Sequence, residues 1–324
     1  MSRLLEQITR RSLVFLPLDP ETILKVFQTE SDEDIFQASH LITRRCASRV
    51  FDVCTIVNAK SGHCTEDCHW CAQSRHWPTD VNITPIIPAD HTDKALDRAE
   101  QLGIKKFSFV TSGRKLSKRE TEEIRPRITQ AASRPSLQVC GSFGLMDEAA
   151  FRSLKAAGLH RVHCNLETGE AFFPSVCTTH TQQEKIATLK AALRADLEIC
   201  SGGLFGIGER FEDRVELAFR LRKLSVPSIP LNFLTPIPGT PLADAHPLSP
   251  SDILRTVALF RLVNPGAYLR FAGGLGRMSR ATIEQGLYVG MNSAIVGDFL
   301  TTSGLNVKTI LELAENSGYR TGAS

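Results

Sequence analysis

Three cysteines stand close together in one short stretch of the chain, at Cys64, Cys68 and Cys71. Three thiolates on one loop can bind three irons of a 4Fe-4S cluster and leave the fourth iron without a protein ligand. An open iron can bind a substrate or cofactor directly, whereas a cluster that only carries electrons is normally closed by four cysteines. A zinc site is the alternative, but no fourth Cys or His follows at zinc-finger spacing.

The CxxxCxxC spacing, with Trp70 just before the third cysteine, resembles the signature of the radical S-adenosylmethionine superfamily. Further segments, in the order in which one family has them, make the chain similar to biotin synthases. This likeness runs from about residue 50 to about residue 302. The matching segments are residues 58–62, 71–74, 165–168, 178–181, 200–209, 232, 239–242 and 268–270.

The resemblance implies a radical S-adenosylmethionine sulfurtransferase. A 4Fe-4S cluster on the cysteine triad would cleave S-adenosylmethionine to a 5'-deoxyadenosyl radical, which would abstract hydrogen from dethiobiotin. A second, auxiliary iron–sulfur cluster would donate the sulfur that is inserted to give biotin. The cofactor carries this chemistry, while the protein supplies orientation and excludes water.

Several positions match the superfamily's contacts to S-adenosylmethionine. Trp70 lies in the cluster loop, and Gly202, Gly206 and Glu209 match the backbone segment that packs against the adenine. Glycines allow a chain to approach a flat ring closely. A Gly-rich strand-to-helix turn would produce the same pattern, so this segment depends on the cysteine triad for its interpretation.

Polar residues on the predicted strands match the family's contacts to ribose and substrate. The resemblance implies that Asn165 and Glu167 hydrogen-bond the ribose, although the family usually has Asp at the second position. It also implies that Asn165 and Asn232 contact dethiobiotin. Lys185 stands where the family tends to have an arginine, and could pair with the methionyl carboxylate or be a solvated helix lysine.

The resemblance to the family is incomplete at the ligands of the auxiliary cluster. Typical members hold a 2Fe-2S cluster with three cysteines and an arginine, and Cys140, Cys200 and Arg270 match three of these four ligands. The remaining position, on the second strand, is Ser108. Because a serine hydroxyl is a poor ligand for iron, the usual auxiliary cluster cannot be carried over unchanged.

Three further cysteines could compensate for Ser108. Cys54 has the same strand parity as Asn58, so we expect it to face the barrel lumen. Cys164 alternates with Asn165, so we expect an ordinary buried thiol, and Cys177 lies in a loop that could reach into the site. We predict Cys54, Cys140 and Cys200 as ligands of an auxiliary cluster of 2Fe-2S or larger size, completed by Arg270 or one more cysteine.

Short apolar runs alternate with amphipathic helix patterns from Phe51 onward. Eight strands with intervening helices predict an α/β fold of the (β/α)8 TIM-barrel type, with ligands at the C-terminal ends of the strands. A doubly wound open sheet is the alternative, but only a closed sheet brings all the matched residues round one centre. The predicted strands are 53–58, 105–111, 137–143, 161–166, 198–205, 230–235, 267–273 and 293–297.

The flanking segments predict helices on either side of this barrel. Asp19-Pro20 opens one helix, and Ile35, Ala38 and Ile42 form the buried stripe of a second helix, at whose end Cys46 is expected as a structural thiol. We predict an N-terminal helical cap over residues 1–50, a barrel over 51–302, and a C-terminal helix and tail over 303–324.

The amino-acid composition limits which binding partners are expected. A net charge of +3 over 38 basic and 35 acidic residues indicates neither nucleic acid nor an anionic membrane as a partner. The chain shows no 18-residue apolar run and no signal-peptide pattern, and its nine cysteines favour metal ligation, so we predict a cytoplasmic protein. The resemblance implies a homodimer, and we expect a flavodoxin- or ferredoxin-type reductant.

Two other functions remain open from the sequence. One is a related radical S-adenosylmethionine enzyme without sulfur insertion, such as the hydrogenase-maturation or pyrrolysine-pathway enzymes. Cys140, Cys200 and Asn232 disfavour it. The other is a non-catalytic iron–sulfur protein for electron transfer or cluster storage, which would need a closed first cluster.

Overall fold

A computed structural model describes residues 1–297 and 306–321. Within these residues, nine parallel strands curl into one sheet that is surrounded by helices. The strands are β1 (Asp52–Lys60), β2 (Lys106–Thr111), β3 (Gln138–Ser142), β4 (Arg161–His163), β5 (Glu198–Cys200), β6 (Gly203–Phe205), β7 (Ser228–Phe233), β8 (Tyr268–Phe271) and β9 (Ser293–Val296).

The strand order is β5-β4-β3-β2-β1-β9-β8-β7-β6. The two outer strands of this order, β5 and β6, follow each other directly in the chain. A bridge between Glu167 and Gly203 brings β6 back beside the end of β4, which curls the sheet around a central lumen. The predicted α/β barrel of TIM type is therefore confirmed, and the doubly wound open sheet was wrong.

The predicted strand 198–205 is interrupted in the structure, which is why nine strands replace the predicted eight. A Cβ atom at Gly202 would lie 1.8 Å from the carbonyl oxygen of Pro230 in β7. The chain bends at this close approach, and the Gly202 amide donates to the side-chain oxygen of Asn165 at 3.1 Å. Strand β4 ends at His163, earlier than predicted, and the chain then turns at Glu167, which adopts a left-handed φ of 71°.

Eleven α-helices lie in the described ranges, and the helix boundaries follow local sequence signals. Gly103 (φ 66°) and Gly158 (φ 107°) follow the two helices that were predicted to end in left-handed glycine caps. The helices are α1 (Arg3–Leu13), α2 (Pro20–Thr29), α3 (Asp32–Cys46), α4 (Ala89–Gln101), α5 (Lys118–Ala132), α6 (Glu148–Ala156), α7 (Gln182–Arg194), α8 (Phe211–Lys223), α9 (Pro250–Val263), α10 (Arg280–Val289) and α11 (Val307–Asn316).

The N-terminal helices pack on the outer helices of the barrel. Helix α3 packs against α9 and α10, and α2 packs against α8. Asp19 caps α2 as its pattern predicted, and Cys46 is a half-buried thiol directed at the carbonyl of Leu13, at 3.6 Å. The predicted division at residues 50 and 302 stays a prediction, and its second boundary lies outside the described residues.

The C-terminal helix returns to the start of the barrel. The Phe51 amide, just before β1, donates to the Arg320 carbonyl at 2.8 Å, and α11 packs against α10. None of the described helices combines the length and apolar character needed to cross a membrane.

Candidate active site

The cysteine triad lies on the loop that follows β1, at the C-terminal mouth of the barrel. Gly62 and His63 both have positive φ angles, of 76° and 50°, and turn the chain back after the strand. The side-chain oxygen of Gln73 accepts from the Gly62 amide at 2.5 Å, and its carbonyl accepts from the Cys64 amide at 3.0 Å. The loop is thereby closed on itself.

All three triad cysteines border one cavity of about 300 Å³. Lys185, Asn165 and Glu167 line the same cavity, so the structure brings these predicted site residues together with the triad. Trp70 also borders it, and its ring packs against the apolar side chains of Val176, Leu204, Ile207 and Leu234. Thiolate, carboxylate, amide and ammonium groups thus face one concave space at the mouth of the barrel.

The loop after β4 holds the cysteine loop from the opposite side. Asp67 accepts from the amides of Thr178 and Thr179, at 2.9 and 3.2 Å. Buried Glu66 contacts Nδ1 of His180 at 2.7 Å and Arg114 at 3.0 Å. Sequence analysis matched residues 178–181 to the family but predicted none of these contacts, because no local pattern pairs residues so far apart in the chain.

Cys177 lies beside the triad, in the loop that was expected to reach into the site. Its Sγ atom is 3.7 Å from Sγ of Cys68 and 3.3 Å from Nδ1 of His180. Contact with Cys68 and with His180 lowers the pKa of Cys177 to about 5, although burial opposes the shift. The same contact, together with burial, raises the pKa of Cys68.

Glu167 and Lys185 form the charged part of the cavity wall. The ammonium of Lys185 lies 3.8 Å from the carboxylate of Glu167, and both side chains are largely buried. Burial raises the pKa of Glu167, while Lys185 acts in the opposite direction. At this distance Lys185 keeps donors that are free to bind a second anionic group.

The glycine-rich segment after β5 supports the barrel wall. Gly202 approaches Pro230 too closely for any side chain, and Gly206 has a left-handed φ of 89°. Glu209 accepts from the amides of Gly206 and Ile207, at 3.0 and 2.8 Å, and pairs with Arg214 at 2.8 Å. These contacts explain the conformation, while the predicted contact with adenine stays a prediction.

A second cavity, of about 260 Å³, adjoins the first through Trp70, Cys71, Asn165 and Glu167. Asn232 borders this cavity, and both the nitrogen and the oxygen of its side-chain amide are hydrogen-bonded to the backbone. Its Nδ2 donates to the Gly203 carbonyl at 3.0 Å, and its Oδ1 accepts from the Gly273 amide at 2.9 Å. One N–H and one lone pair remain for a ligand. Leu204, which sequence reasoning did not single out, supplies apolar lining.

Deeper in the lumen, β1, β3 and β5 bring three buried thiols together. Cys54 is 1% exposed, and Cys140 and Cys200 are fully buried. Contact with Cys140 lowers the pKa of Cys54 and raises that of Cys140. The structure therefore places Cys54 next to Cys140; strand parity had predicted only that Cys54 faces the lumen.

His163 completes this group and was missed by the sequence analysis. It pairs in register with Cys200, and its ring lies beside the thiols of Cys54 and Cys200. Burial alone would lower the pKa of His163, but the neighbouring thiolates raise it to about 9. In return, His163 outweighs the effect of burial and lowers the pKa of Cys200 to about 7. The parity that turned Asn165 inward would also have identified His163.

Arg270 lies at this site, in a fixed hydrogen-bonded position. Its guanidinium forms an ion pair with Asp52, and donates to the Ala294 carbonyl at 3.1 Å and to Oγ of Ser228 at 3.4 Å. Lys106 also pairs with Asp52. Burial alone would lower the pKa of Arg270, but Asp52 outweighs this effect and raises it.

Ser108 is the position at which the resemblance would require a cysteine. It is fully buried opposite Cys140 in the sheet register, and its Oγ makes no hydrogen bond to any described residue. Cys164 is buried in the main hydrophobic core, as expected of an ordinary buried thiol, and it also borders the first cavity.

The donor set around the three deep thiols suits an anionic iron–sulfur group. Polar atoms that make no hydrogen bond within the described chain include Ser108 Oγ, His163 Nε2 and Arg270 Nε, all of them buried. Buried polar atoms are rarely left without partners, so these three mark a position where a further group belongs. The cations nearby (Lys106, Arg161 and Arg270) outnumber the two carboxylates that pair with them (Asp52 and Glu198).

Two family models match the chain. The radical S-adenosylmethionine superfamily matches residues 60–221, and the Biotin and Thiamin Synthesis associated domain matches residues 230–320. A biotin synthase of Porphyromonas gingivalis is 43% identical over 300 residues, covering 93% of this chain and 91% of that protein. A biotin synthase of Desulfotalea psychrophila is 46% identical, covering 84% and 81%.

Solved structures share the fold at low identity. Methylornithine synthase superposes with a TM-score of 0.83 at 14% identity, covering 98% of this chain and 97% of that one. The FeFe-hydrogenase maturase HydG of Carboxydothermus hydrogenoformans superposes with a TM-score of 0.80 at 13% identity, covering 98% and 79%. Identities this low establish the fold alone.

Proposed function

This chain belongs to the biotin synthase family of radical S-adenosylmethionine enzymes, and we propose that its two groups of thiols divide the reaction between them. The enzyme inserts sulfur into dethiobiotin to give biotin, and uses a 4Fe-4S cluster with S-adenosylmethionine and an auxiliary iron–sulfur cluster. The proposal rests on one observation: two sets of three cysteines lie at different depths of one lumen, and the second cavity lies beside them at its mouth.

Cys64, Cys68 and Cys71 hold the first cluster in this proposal, leaving one iron open to S-adenosylmethionine. When bound there, the cluster supplies the electron for reductive cleavage of the cofactor's carbon–sulfur bond. Lys185 binds the cofactor carboxylate, because its ammonium borders the cavity 3.8 Å from Glu167. Glu167 and Asn165 are placed on the wall shared by both cavities, where they orient the ribose.

Cys54, Cys140 and Cys200 hold the auxiliary cluster. Their burial keeps water away from the sulfur donor, and the surrounding cations stabilise the thiolates. Arg270 acts in the proposal as a hydrogen-bond donor to this cluster, because its ion pair with Asp52 keeps the guanidinium protonated. Ser108 is assigned no ligand role.

Dethiobiotin occupies the second cavity in this proposal. Asn232 presents its remaining donor and acceptor to the ureido ring, and Leu204 and Trp70 cover apolar parts of the substrate. Gly202, Gly206 and Glu209 shape the adjoining wall and the backbone that faces the adenine. We also propose a flavodoxin- or ferredoxin-type reductant, a cytoplasmic location and a homodimer, all of which rest on the family resemblance.

An anaerobic single-turnover assay tests the proposal. Reconstituted protein is mixed with dethiobiotin, S-adenosylmethionine and a reductant, and both biotin and 5'-deoxyadenosine are followed by mass spectrometry. We expect both products from the unaltered chain, neither from Cys71→Ala, and 5'-deoxyadenosine without biotin from Cys200→Ala. Biotin formation by Cys200→Ala would contradict the auxiliary ligand set.

Iron and sulfide per chain give a second, independent readout. Cys54→Ala should lose auxiliary iron while keeping the first cluster, and Cys46→Ala is the matched control because that thiol lies at the end of α3. Unchanged iron and sulfide in Cys54→Ala would remove Cys54 from the ligand set. Iron above the sum of one 4Fe-4S and one 2Fe-2S cluster would show that the auxiliary cluster is the larger form.

A further inference from the structure

The auxiliary site contains one nitrogen that is suited to bind metal and has no other partner. The Nε2 atom of His163 is buried and makes no hydrogen bond to any residue in the described ranges. The ring lies beside the thiols of Cys54 and Cys200, which are two of the proposed ligands. A buried imidazole nitrogen without a hydrogen bond is costly, so its position calls for a partner that the protein alone does not provide.

The other candidates for the fourth ligand position are less suited to bind this iron than His163. Arg270 is paired with Asp52 and donates to Ala294 and Ser228, and a protonated guanidinium has no lone pair for iron. Cys177 lies 3.7 Å from Cys68, at the first cluster. Cys164 follows the end of β4 and borders the first cavity while packing in the apolar core.

We propose that His163 is the fourth protein ligand of the auxiliary cluster and binds iron through Nε2, beside Cys54, Cys140 and Cys200. This inference rests on the proposed function, because it needs an auxiliary cluster at this position. The four side chains come from β1, β3, β4 and β5, and His163 lies in register with Cys200 on the neighbouring strand.

Imidazole is an established ligand for cluster iron, and its effect on the cluster is predictable. In Rieske centres, histidines replace two cysteines on one iron and raise the reduction potential. A neutral imidazole also leaves the cluster less negative than a fourth thiolate would. We therefore expect His163→Cys to retain a cluster whose reduction potential is lower than that of the unaltered chain.

Pulsed electron paramagnetic resonance tests direct ligation. The triple variant Cys64→Ala/Cys68→Ala/Cys71→Ala isolates the auxiliary cluster, and ¹⁵N-labelled histidine identifies the nitrogen in the reduced state. We expect a strongly coupled histidine nitrogen that is lost in His163→Phe. A weak coupling typical of a hydrogen bond, or a strong one that persists in His163→Phe, would overturn the proposal.

Iron analysis in the same background provides a test that does not depend on the spectrum. His163→Phe should lose auxiliary iron, and His163→Cys should keep it. His160→Phe is the matched control, because the His160 side chain is half exposed and pairs with Glu198. Full iron content in His163→Phe would contradict ligation.

The failure of this inference is distinguishable from a failure of the proposed function. With the triad intact, His163→Phe should still form 5'-deoxyadenosine, which shows that the chain is folded and the first cluster is in place. If the Cys64→Ala/Cys68→Ala/Cys71→Ala triple variant binds no iron even with His163 in place, the auxiliary site itself is wrong. If it binds iron equally well with and without His163, the site stands and the ligand assignment is wrong.

Discussion

The Sγ atom of Cys177 lies 3.7 Å from Sγ of Cys68, a proposed ligand of the first cluster. His180 contacts Cys177 from the other side and is itself held by Glu66. We compared the metal-binding atoms of all His, Cys, Asp and Glu side chains in the described residues. Cys68, Cys177 and His180 form the one group of three in which these atoms all lie within 4.8 Å of one another. Cys177 therefore belongs to the surroundings of the first cluster.

Cys177→Ala should leave the auxiliary cluster intact. The thiol contacts Cys68 and His180, at the first cluster. Iron analysis in the Cys64→Ala/Cys68→Ala/Cys71→Ala triple variant should therefore give the same value with and without Cys177→Ala. Cys200→Ala is the positive control and should lose auxiliary iron. A loss of auxiliary iron in Cys177→Ala would show that this loop reaches the deeper site after all.

Ser108→Ala should keep the auxiliary iron and should not destabilise the protein. The Ser108 hydroxyl is buried without a hydrogen bond to any described residue, and removing such a group relieves a cost of about 1–3 kcal/mol. Iron content and chemical denaturation under anaerobic conditions measure the two effects. A loss of iron would instead identify the hydroxyl as a ligand.

Lys185→Met should weaken S-adenosylmethionine binding about 10-fold or more, because a charge-assisted hydrogen bond contributes about 1.5–3 kcal/mol. Isothermal titration with the reconstituted protein measures the dissociation constant. Lys190→Met lies on the same helix α7 with its side chain exposed, and should bind as the parent does. Equal affinities for the two variants would count against a carboxylate contact by Lys185.

Asp52→Asn should destabilise the protein by about 3–5 kcal/mol, because the substitution leaves Arg270 buried without its charge partner. Anaerobic denaturation of the cluster-free chain measures this change. Asp196→Asn removes an exposed partner of Lys155 and should give no measurable change. A small effect of Asp52→Asn would mean that the guanidinium finds other acceptors.

The same ion pair predicts a dependence of stability on pH. Burial alone would raise the pKa of Asp52, but Arg270 and Lys106 hold it below its usual value of 3.8. A carboxyl whose pKa is lowered by folding stabilises the native state above its unfolded pKa. This contribution is lost as the pH falls below about 4 toward the folded pKa. Asp52→Asn should flatten the stability profile in that acidic range, which denaturation curves at several pH values would measure.

Local patterns were sufficient for the elements that depend on neighbouring residues. The cap at Asp19 and the glycine termini at Gly103 and Gly158 were read correctly, because a helix boundary is decided within a few residues. The period-two pattern also placed Cys54 inside the lumen.

By itself, the sequence determined the cysteine triad, the order of strands and helices, and the family, because these depend on residue identity and spacing. Tertiary structure alone decided which distant side chains meet. It joined Asp52 to Arg270, placed Cys177 beside Cys68, and brought His163 to the deep thiols. These contacts follow from the register and closure of the curled sheet, which depend on packing across the whole chain rather than on any local pattern.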